Sequence, residues 1–569
     1  MRGPPTRLLA TIAAVLAAAA GSAPQHSHHG ARHTPTPPDS EACDTLGREG
    51  EDLTLYVSTD GDDIAHSGRL ASTIDGDGPD VSTDGDASSP HRSGPRTATA
   101  GRPRRESGRD GPLASLTAAR DALRRVRRQH AACGRPAPHA RVYVRSGTYR
   151  LTEPLTLSAE DDNTDWLRHP ADSANPVHSG GARLSGEWQR EVGGAWSLRL
   201  DKPFPFNQLW VDGKRAIRAR EPEQGAYFRM AVALPSPLSE LGFVAEPADL
   251  RSLAGYNRSG QNSSDAMPEL VIFSSWQANR RHPSAVIAHN NTVLLASRAS
   301  IDVDPYANSG SRWYAENYRE ACDSPGEWFY DRARGELLWQ PRSPDEPHPS
   351  NLRFEAPRLT GPLLRLENTT RVTVANMSFE HTDWDIGAVN TSSGTVQEAS
   401  FLAEAAVHLH NATHCRLEGV AVERVGAHGI WIEGGSSRNT VRGCLVRDTA
   451  AGGIRVGRGK PLINTPDGTA HTAIVDSTVV HGGAVFPGAG GIIVQKVSHT
   501  LVQNCEVAYF GAHGISVGWT WDYRPSEANH NVVRDCYVHH LGNGVLSDLA
   551  GVYLLVRIAR KPRTQKPLD

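Results

Sequence analysis

Two runs near the C-terminus hold the side chains best suited to chemistry. Gly511-Ala-His-Gly-Ile-Ser-Val-Gly-Trp-Thr-Trp-Asp-Tyr523 and Cys536-Tyr-Val-His-His-Leu-Gly-Asn-Gly-Val-Leu-Ser-Asp548 are the densest mix of Trp, Tyr, His and Asp in the chain. Cleaving a glycosidic bond takes two flanking carboxyl groups, one protonated and one ionised. A gap of about 5 Å favours retention, and a wider one admits water and favours inversion. Asp522 and Asp548 are 26 residues apart, close to one unit of the repeat described below. Stacked one coil apart, at about 4.8 Å per rung, they would suit a retaining site. The competing role for both is structural, beside turns. Trp519 and Trp521 alternate, so a strand would offer one indole to the apolar face of a sugar and pack the other. His539 and His540 are adjacent and should point to opposite faces, which keeps them from chelating one ion and leaves His540 to bind substrate. His513 and His428 share the context Gly-Ala-His-Gly-Ile, which reads first as a repeat turn. His513 and Glu433, which follows the earlier turn, complete the substrate-binding candidates.

A repeat must position these groups. A Cys, Ser or Met recurs at Met377, Cys415, Cys444, Ser477, Cys505 and Cys536, with gaps of 38, 29, 33, 28 and 31 residues. A second ladder runs through Gly429-Ile430, Gly453-Ile454, Gly491-Ile492, Gly514-Ile515 and Gly544-Val545. Units of about 30 residues with two or three short strands mark a β-solenoid. No Leu-x-x-Leu-x-Leu pattern or helical period is present. Like residues stack in such a fold. Cys415, Cys444, Cys505 and Cys536 are therefore expected in one register, as small core residues. A line of thiols does not converge on one point, so no zinc site is expected there, and no metal or cofactor is expected elsewhere. The fold class is all-β: a right-handed parallel β-helix with a cap containing one helix and an inserted β-rich module.

The chain divides around that repeat. Residues 1–23 read as a signal peptide, with Arg2 and Arg7 ahead of the apolar run Leu8–Ala20. Residues 24–52 are expected to be disordered, the first part, 24–40, being His/Pro/Ser-rich. Residues 53–222 form the cap and first coils, with a helix over Pro112–His130 and a disordered insertion at 64–110. Residues 223–350 form the inserted module, cored by Trp276, Trp313, Trp328 and Trp339. Residues 351–553 are the repeat, and 554–569 a basic tail without repeat pattern. Cys43 and Cys133 flank the first module and are expected to pair. A net charge of −3 argues against nucleic-acid and membrane-surface partners. No later apolar run is long enough to span a bilayer. Seven N-x-Ser/Thr sequons accord with export. Asn376 lies in a strand-like run and is expected to be silent; Asn257, Asn262, Asn290, Asn368, Asn390 and Asn411 remain. The expectation is a secreted, extracellular monomer acting on a poly- or oligosaccharide.

Longer motifs carry a family resemblance. They are Val374-Ala-Asn-Met-Ser-Phe-Glu-His-Thr-Asp-Trp384, Asn207-Gln-Leu-Trp-Val-Asp-Gly-Lys-Arg215, Pro325-Gly-Glu-Trp-Phe-Tyr-Asp331, Val142-Tyr-Val-Arg-Ser-Gly-Thr-Tyr-Arg-Leu151 and the two C-terminal runs. The chain resembles glycoside hydrolase family 141, right-handed β-helix proteins of the pectin-lyase-like superfamily. That resemblance implies a secreted enzyme acting on plant-type glycans, in a family with fucosidase and xylanase members, through a pair of aspartates. Asp548 matches the Ser-Asp before the family's final Gly-x-Tyr. The chain departs from the pattern at Ala550, where the family usually has Gly, and again after Tyr553. Leu554–Asp569 holds five basic residues and no coil pattern, so it reads as a truncated gene product or a read-through tail, without the later coil in which the family would place its second acid. Two alternatives stay open. One is a non-catalytic carbohydrate-binding or structural solenoid. The other is a pectate-lyase-like enzyme, which needs acids for calcium and a basic residue for the proton; no acidic cluster with an Arg in matching register is read in the repeat.

Overall fold

Short runs with β-branched or aliphatic residues at every second position can bury only one face, so they must stack. They do so in three parallel sheets. In the computed structural model, Cys43 and residues 52–63, 111–250, 252–258, 267–299, 303, 310–384, 404–458, 467–521 and 526–555 are described. Each full coil contributes one strand to each sheet in turn, such as Arg416–Glu418, Ala421–Val425 and His428–Glu433. The first sheet has nine strands and the second and third have eight each. Inward residues form ladders: Val374, Leu417, Val441, Ile474 and Val502 in the first sheet, and Val407, Ile430, Ile454, Ile492 and Ile515 in the third. All lie in one continuous core. Each such side chain contributes about 1.5–3 kcal/mol on burial. The protein is a right-handed parallel β-helix.

Two ladders differ from the sequence reading. Cys444, Ser477, Cys505 and Cys536 do share a register, continued backwards by Val420 and Met377. Cys415 does not: it precedes its first-sheet strand, and its amide donates to Asn439 Oδ1 at 2.9 Å. The glycine ladder ends at Gly551-Val552 rather than Gly544-Val545, because Val552 pairs with Ile515. Its physical cause is close approach. A Cβ on Gly453 would sit 2.1 Å from Val479 Cγ1 and 2.7 Å from the Gly491 carbonyl oxygen. The coil also runs one residue beyond Tyr553, since Leu554 pairs with Val517.

The strand bends sharply where each coil leaves the second sheet. His381, Arg424, Asp448, His481, Tyr509 and His540 hold φ between 49° and 61° there, a left-handed region that Asn, Asp and His enter most readily. This turn overturns the expectation for His539 and His540. Left-handed backbone at His540 cancels the strand alternation, and the two Nδ1 atoms lie 2.6 Å apart. Asn376 is likewise a left-handed, exposed turn residue rather than part of a strand.

The helix Leu116–Ala132 covers the first rung. Ser115 caps it by accepting from the Ala118 amide, and Leu116, Ala119 and Leu123 face the core. Cys43 and Cys133 are joined in a disulfide. The expected signal peptide, most of the 24–52 segment, the 64–110 insertion and all of the tail beyond Leu555 lie outside the described residues. No helix among the described residues is long and apolar enough to cross a membrane.

The chain leaves the solenoid after the second-sheet strand Val177–Ser179 and rejoins it at Leu364 in the third sheet. The excursion therefore starts near Gly181 rather than at 223, since the strands from Gly181 onward pair in separate sheets outside the solenoid, antiparallel except where Ile217–Arg218 runs parallel to Glu327–Asp331. Trp313, Trp328 and Trp339 are buried in its cores; Trp276 is half-buried at a turn. The excursion docks along loops between the second and third sheets. Two of the family-like motifs meet there: the Asn207 amide and Gln208 Nε2 donate to the Asp383 carboxylate at 2.8 and 3.1 Å. Trp210 Nε1 and Arg215 Nε both donate to Asp448, at 3.0 and 2.6 Å.

Candidate functional site

The outer faces of the sheets differ in kind. On the first sheet the outward row Thr373, Arg416, Thr440, Ala473, Leu501 and Val532 is exposed or half-exposed. The matching row on the third sheet is His408, Trp431, Arg455, Ile493, Ser516 and Tyr553. It points outward, yet His408 is only 7% exposed, Trp431 1%, Arg455 2% and Ser516 1%.

The polar centre of this face comes from strand alternation. His408 and His410 lie two residues apart on one strand and share a face. Their neighbours on the next strand are Trp431 and Glu433. His408 stacks on Trp431 at 4.8 Å and 5°, and the Arg455 guanidinium lies 4.4 Å from the same ring. Trp431 Nε1 donates to the Gly457 carbonyl at 2.9 Å, and Arg455 Nε to Gln495 Oε1 at 2.8 Å. Glu433 Oε1 lies 3.1 Å from His408 Nε2 and 2.8 Å from His410 Nδ1. Arg458 meets the other oxygen, Oε2, at 3.1 Å. Burial alone would raise the Glu433 carboxyl, but the two histidine hydrogen bonds and Arg458 outweigh it and hold it at about 2. The group is ionised at neutral pH. Both sequence patterns were visible as Val407-His-Leu-His410 and Ile430-Trp-Ile-Glu433, 23 residues apart. Only the register brings them together, and His408, His410, Trp431, Arg455 and Arg458 had not been singled out.

The sequence candidates fall in three places. Asp548 is exposed with φ 57°, and its Oδ2 accepts from the Tyr553 hydroxyl at 3.3 Å. His513 stacks on Tyr553 at 4.0 Å and accepts from the Ala550 amide at 3.2 Å. Burial pushes the His513 imidazole down to about 4 against the pull of the Asp548 charge, so it is neutral. Trp519 and Trp521 follow the third-sheet strand Ile515–Gly518 and meet edge to face at 5.1 Å. Trp519 is fully buried and Trp521 half-buried, so Trp521 is the indole with surface to offer. His540 is exposed at the end of the second sheet, stacked on Tyr509 at 4.9 Å. Asp522 lies outside the described residues. The Glu433 coil is four rungs from the Tyr553 coil, on the order of 19 Å along the axis. That is too far for Glu433 and Asp548 to flank one bond. Asn262 and Asn390 also lie outside the described residues. Asn257, Asn290, Asn368 and Asn411 are exposed, and Asn411 Nδ2 donates to Asn368 Oδ1 at 2.8 Å.

An acidic cluster with arginine in matching register does occur, on the second sheet: Glu380, Glu423 and Arg447 are lateral neighbours. Arg447 pairs with Glu423, and Arg424 with Glu380 at 2.7 Å. The carboxylates are neutralised in place, which leaves little charge for calcium. A cavity of about 380 Å³ lies at the module junction, lined by Gln208, Arg215, Arg218, Arg280, Tyr314 and Glu316 among others. Its charges also pair internally: Arg218 and Arg280 each reach both Glu269 and Glu316.

The family described as a right-handed beta helix region matches residues 388–552. No curated protein sequence matches the chain. A solved structure titled "Glycoside hydrolase" shares 20% identity over 88% of this chain and 85% of its own, with a TM-score of 0.66. A complex of XylC with xylose shares 9% identity over 85% of this chain and 62% of its own, with a TM-score of 0.41. An alginate lyase from Paenibacillus sp. str. FPU-7 shares 17% over 31% and 53%, with a TM-score of 0.23. The first of these likenesses is one of fold.

Proposed function

We propose that the chain is a secreted, monomeric protein of glycoside hydrolase type, with the outer face of the third sheet as its glycan surface. The supporting observation is the shielded outward row of that face, with the ionised Glu433 set among His408, His410 and Arg458. Sugars present hydroxyls around an apolar C–H face. Glu433 and Arg458 suit the hydroxyls, and Trp521 the apolar face. Trp431 is sandwiched between His408 and Arg455, so it spaces the polar groups rather than stacking sugar.

Asp548 takes the reacting role in this reading, with Asp522 as its partner carboxyl. One protonates the leaving oxygen, and the other stabilises or attacks the anomeric carbon. The Tyr553 hydroxyl orients Asp548, and neutral His513 adds no competing charge beside it. The test is turnover of fucosylated and xylan-type oligosaccharides by the purified full chain. Asp548→Asn is expected to lower kcat/KM by about 10²- to 10⁴-fold. Retained glycan binding without turnover in the parent protein would establish the binding-solenoid alternative instead. Calcium-dependent release of unsaturated uronates would establish a lyase.

A further inference from the structure

We propose that His408, His410 and Glu433 form a binding site for a first-row divalent transition metal of the zinc type. The reading goes beyond hydrolysis and stands without it. One ligand atom from each of the three residues lies within 4.8 Å of the other two. Two edges of that triangle are already short, at 3.1 and 2.8 Å. A tetrahedral zinc with bonds of about 2.0–2.2 Å spaces its ligand atoms by roughly 3.3–3.5 Å. Both nitrogen-to-oxygen edges are near that spacing. The histidine-to-histidine edge is at most 4.8 Å, and a small shift of His410, whose side chain is 38% exposed, would close it.

The donor set selects the ion. Two imidazoles and one carboxylate suit Zn²⁺, Co²⁺, Ni²⁺ or Cu²⁺, whereas Ca²⁺ and Mg²⁺ require six or more oxygens. The surroundings already orient the donors. Stacking on Trp431 fixes the His408 ring plane. Arg458 holds Glu433 Oε2 and leaves Oε1 between the two imidazoles, an outer contact of the kind that tunes metal ligands. Three protein ligands leave a fourth position on the half-exposed His410 side, open to water or a sugar hydroxyl. A metal bonds the ring-nitrogen lone pairs, so the N–H proton that faces Oε1 on each neutral imidazole moves to that ring's other nitrogen, and Oε1 exchanges its two hydrogen bonds for the metal bond.

The experiment uses the full chain without an added histidine tag, stripped with chelator and then titrated with Zn²⁺ by calorimetry at neutral pH. Co²⁺ absorption reports the geometry. One ion per chain is expected, with a tetrahedral cobalt spectrum. Glu433→Gln and His410→Ala are each expected to weaken binding by at least about 10- to 100-fold. Asp548→Asn is expected to leave it unchanged. The main competitor is the stacked surface row His471, His499 and His530, with ring centroids 4.4 and 4.7 Å apart; His499→Ala is expected to have no effect. Metal-free thermal unfolding confirms that the variants fold. The proposal is overturned if the parent binds no Zn²⁺. It is equally overturned if folded Glu433→Gln and His410→Ala bind as the parent does, or if binding follows His499.

Discussion

At the module junction, Arg218 and Arg280 each reach both Glu269 and Glu316, and all four side chains are at most 10% exposed. On the third sheet, Glu433 is as deeply buried, but its partners His410 and Arg458 have side chains 38% and 59% exposed. Both clusters place ionised groups inside protein, where an uncompensated charge is costly. They solve the problem differently. The junction closes on itself, two cations against two anions, and its polarity is spent on holding the module against the loops of the solenoid. The face cluster satisfies its carboxylate with groups that still meet solvent. A closed network is architecture; an open one can exchange a partner for a ligand.

The largest expected effect breaks the closed network. Arg280→Ala strands Glu269 and Glu316 beside Arg218 alone and removes the Arg280 bond to the Val485 carbonyl at 2.7 Å. Breaking a buried pair from one side costs about 3–5 kcal/mol. Denaturant unfolding monitored by module tryptophans should show that loss, whereas Arg458→Ala should cost less than about 1 kcal/mol because its side chain is exposed. Equal losses would remove the distinction between the clusters.

Titration separates them by sign. At the junction, burial raises the Asp383 carboxyl to about 6, against hydrogen bonds from the Trp384, Gln208 and Asn207 donors. Its folded value exceeds the unfolded 3.8, so its contribution is complete below that value and is lost as pH rises through about 6. Glu433 runs the other way. Its folded value of about 2 lies below the unfolded 4.5, so its contribution is complete above that value and is lost as pH falls through about 2. Each is worth a few kcal/mol at most. Melting curves across pH for the parent, Asp383→Asn and Glu433→Gln should show slopes of opposite sign removed by the two substitutions. A common sign would contradict the contrast.

The sequence revealed the inward half of this molecule far better than the outward half. Core positions repeat because every coil meets the same interior, so aliphatic runs and glycines recur recognisably. Gly491 can be matched to Gly514 because each faces a valine of the second sheet. Outward neighbours come from adjacent coils, whose lengths depend on loops. The step is 43 residues from Met377 to Val420 but 24 from Val420 to Cys444, which is why Cys415 was misplaced and His410 was never set beside Glu433. Asp548 was legible through its motif, and its Tyr553 contact was not, because Asp548 sits with left-handed backbone between the strands Tyr537–Leu541 and Val552–Leu554, where no alternation sets its side chain. The meeting of Asn207 and Gln208 with Asp383 spans more than 170 residues of chain, and no local pattern encodes it.

The smallest effect gives the sharpest comparison, because it compares couplings rather than losses. A double-mutant cycle on Arg280 and Glu316 should give a coupling above about 1 kcal/mol, since both side chains are at most 8% exposed. The same cycle on Arg458 and Glu433 should give less than about 1 kcal/mol. Arg458 keeps water when Glu433 becomes Gln, and Glu433 keeps His408 and His410 when Arg458 becomes Ala. Added salt should shrink the second coupling and leave the first nearly unchanged, because screening acts through solvent that only Arg458 meets. A salt-insensitive, strong Arg458 coupling would make the face cluster as closed as the junction. The third sheet would then lose its claim to a free site.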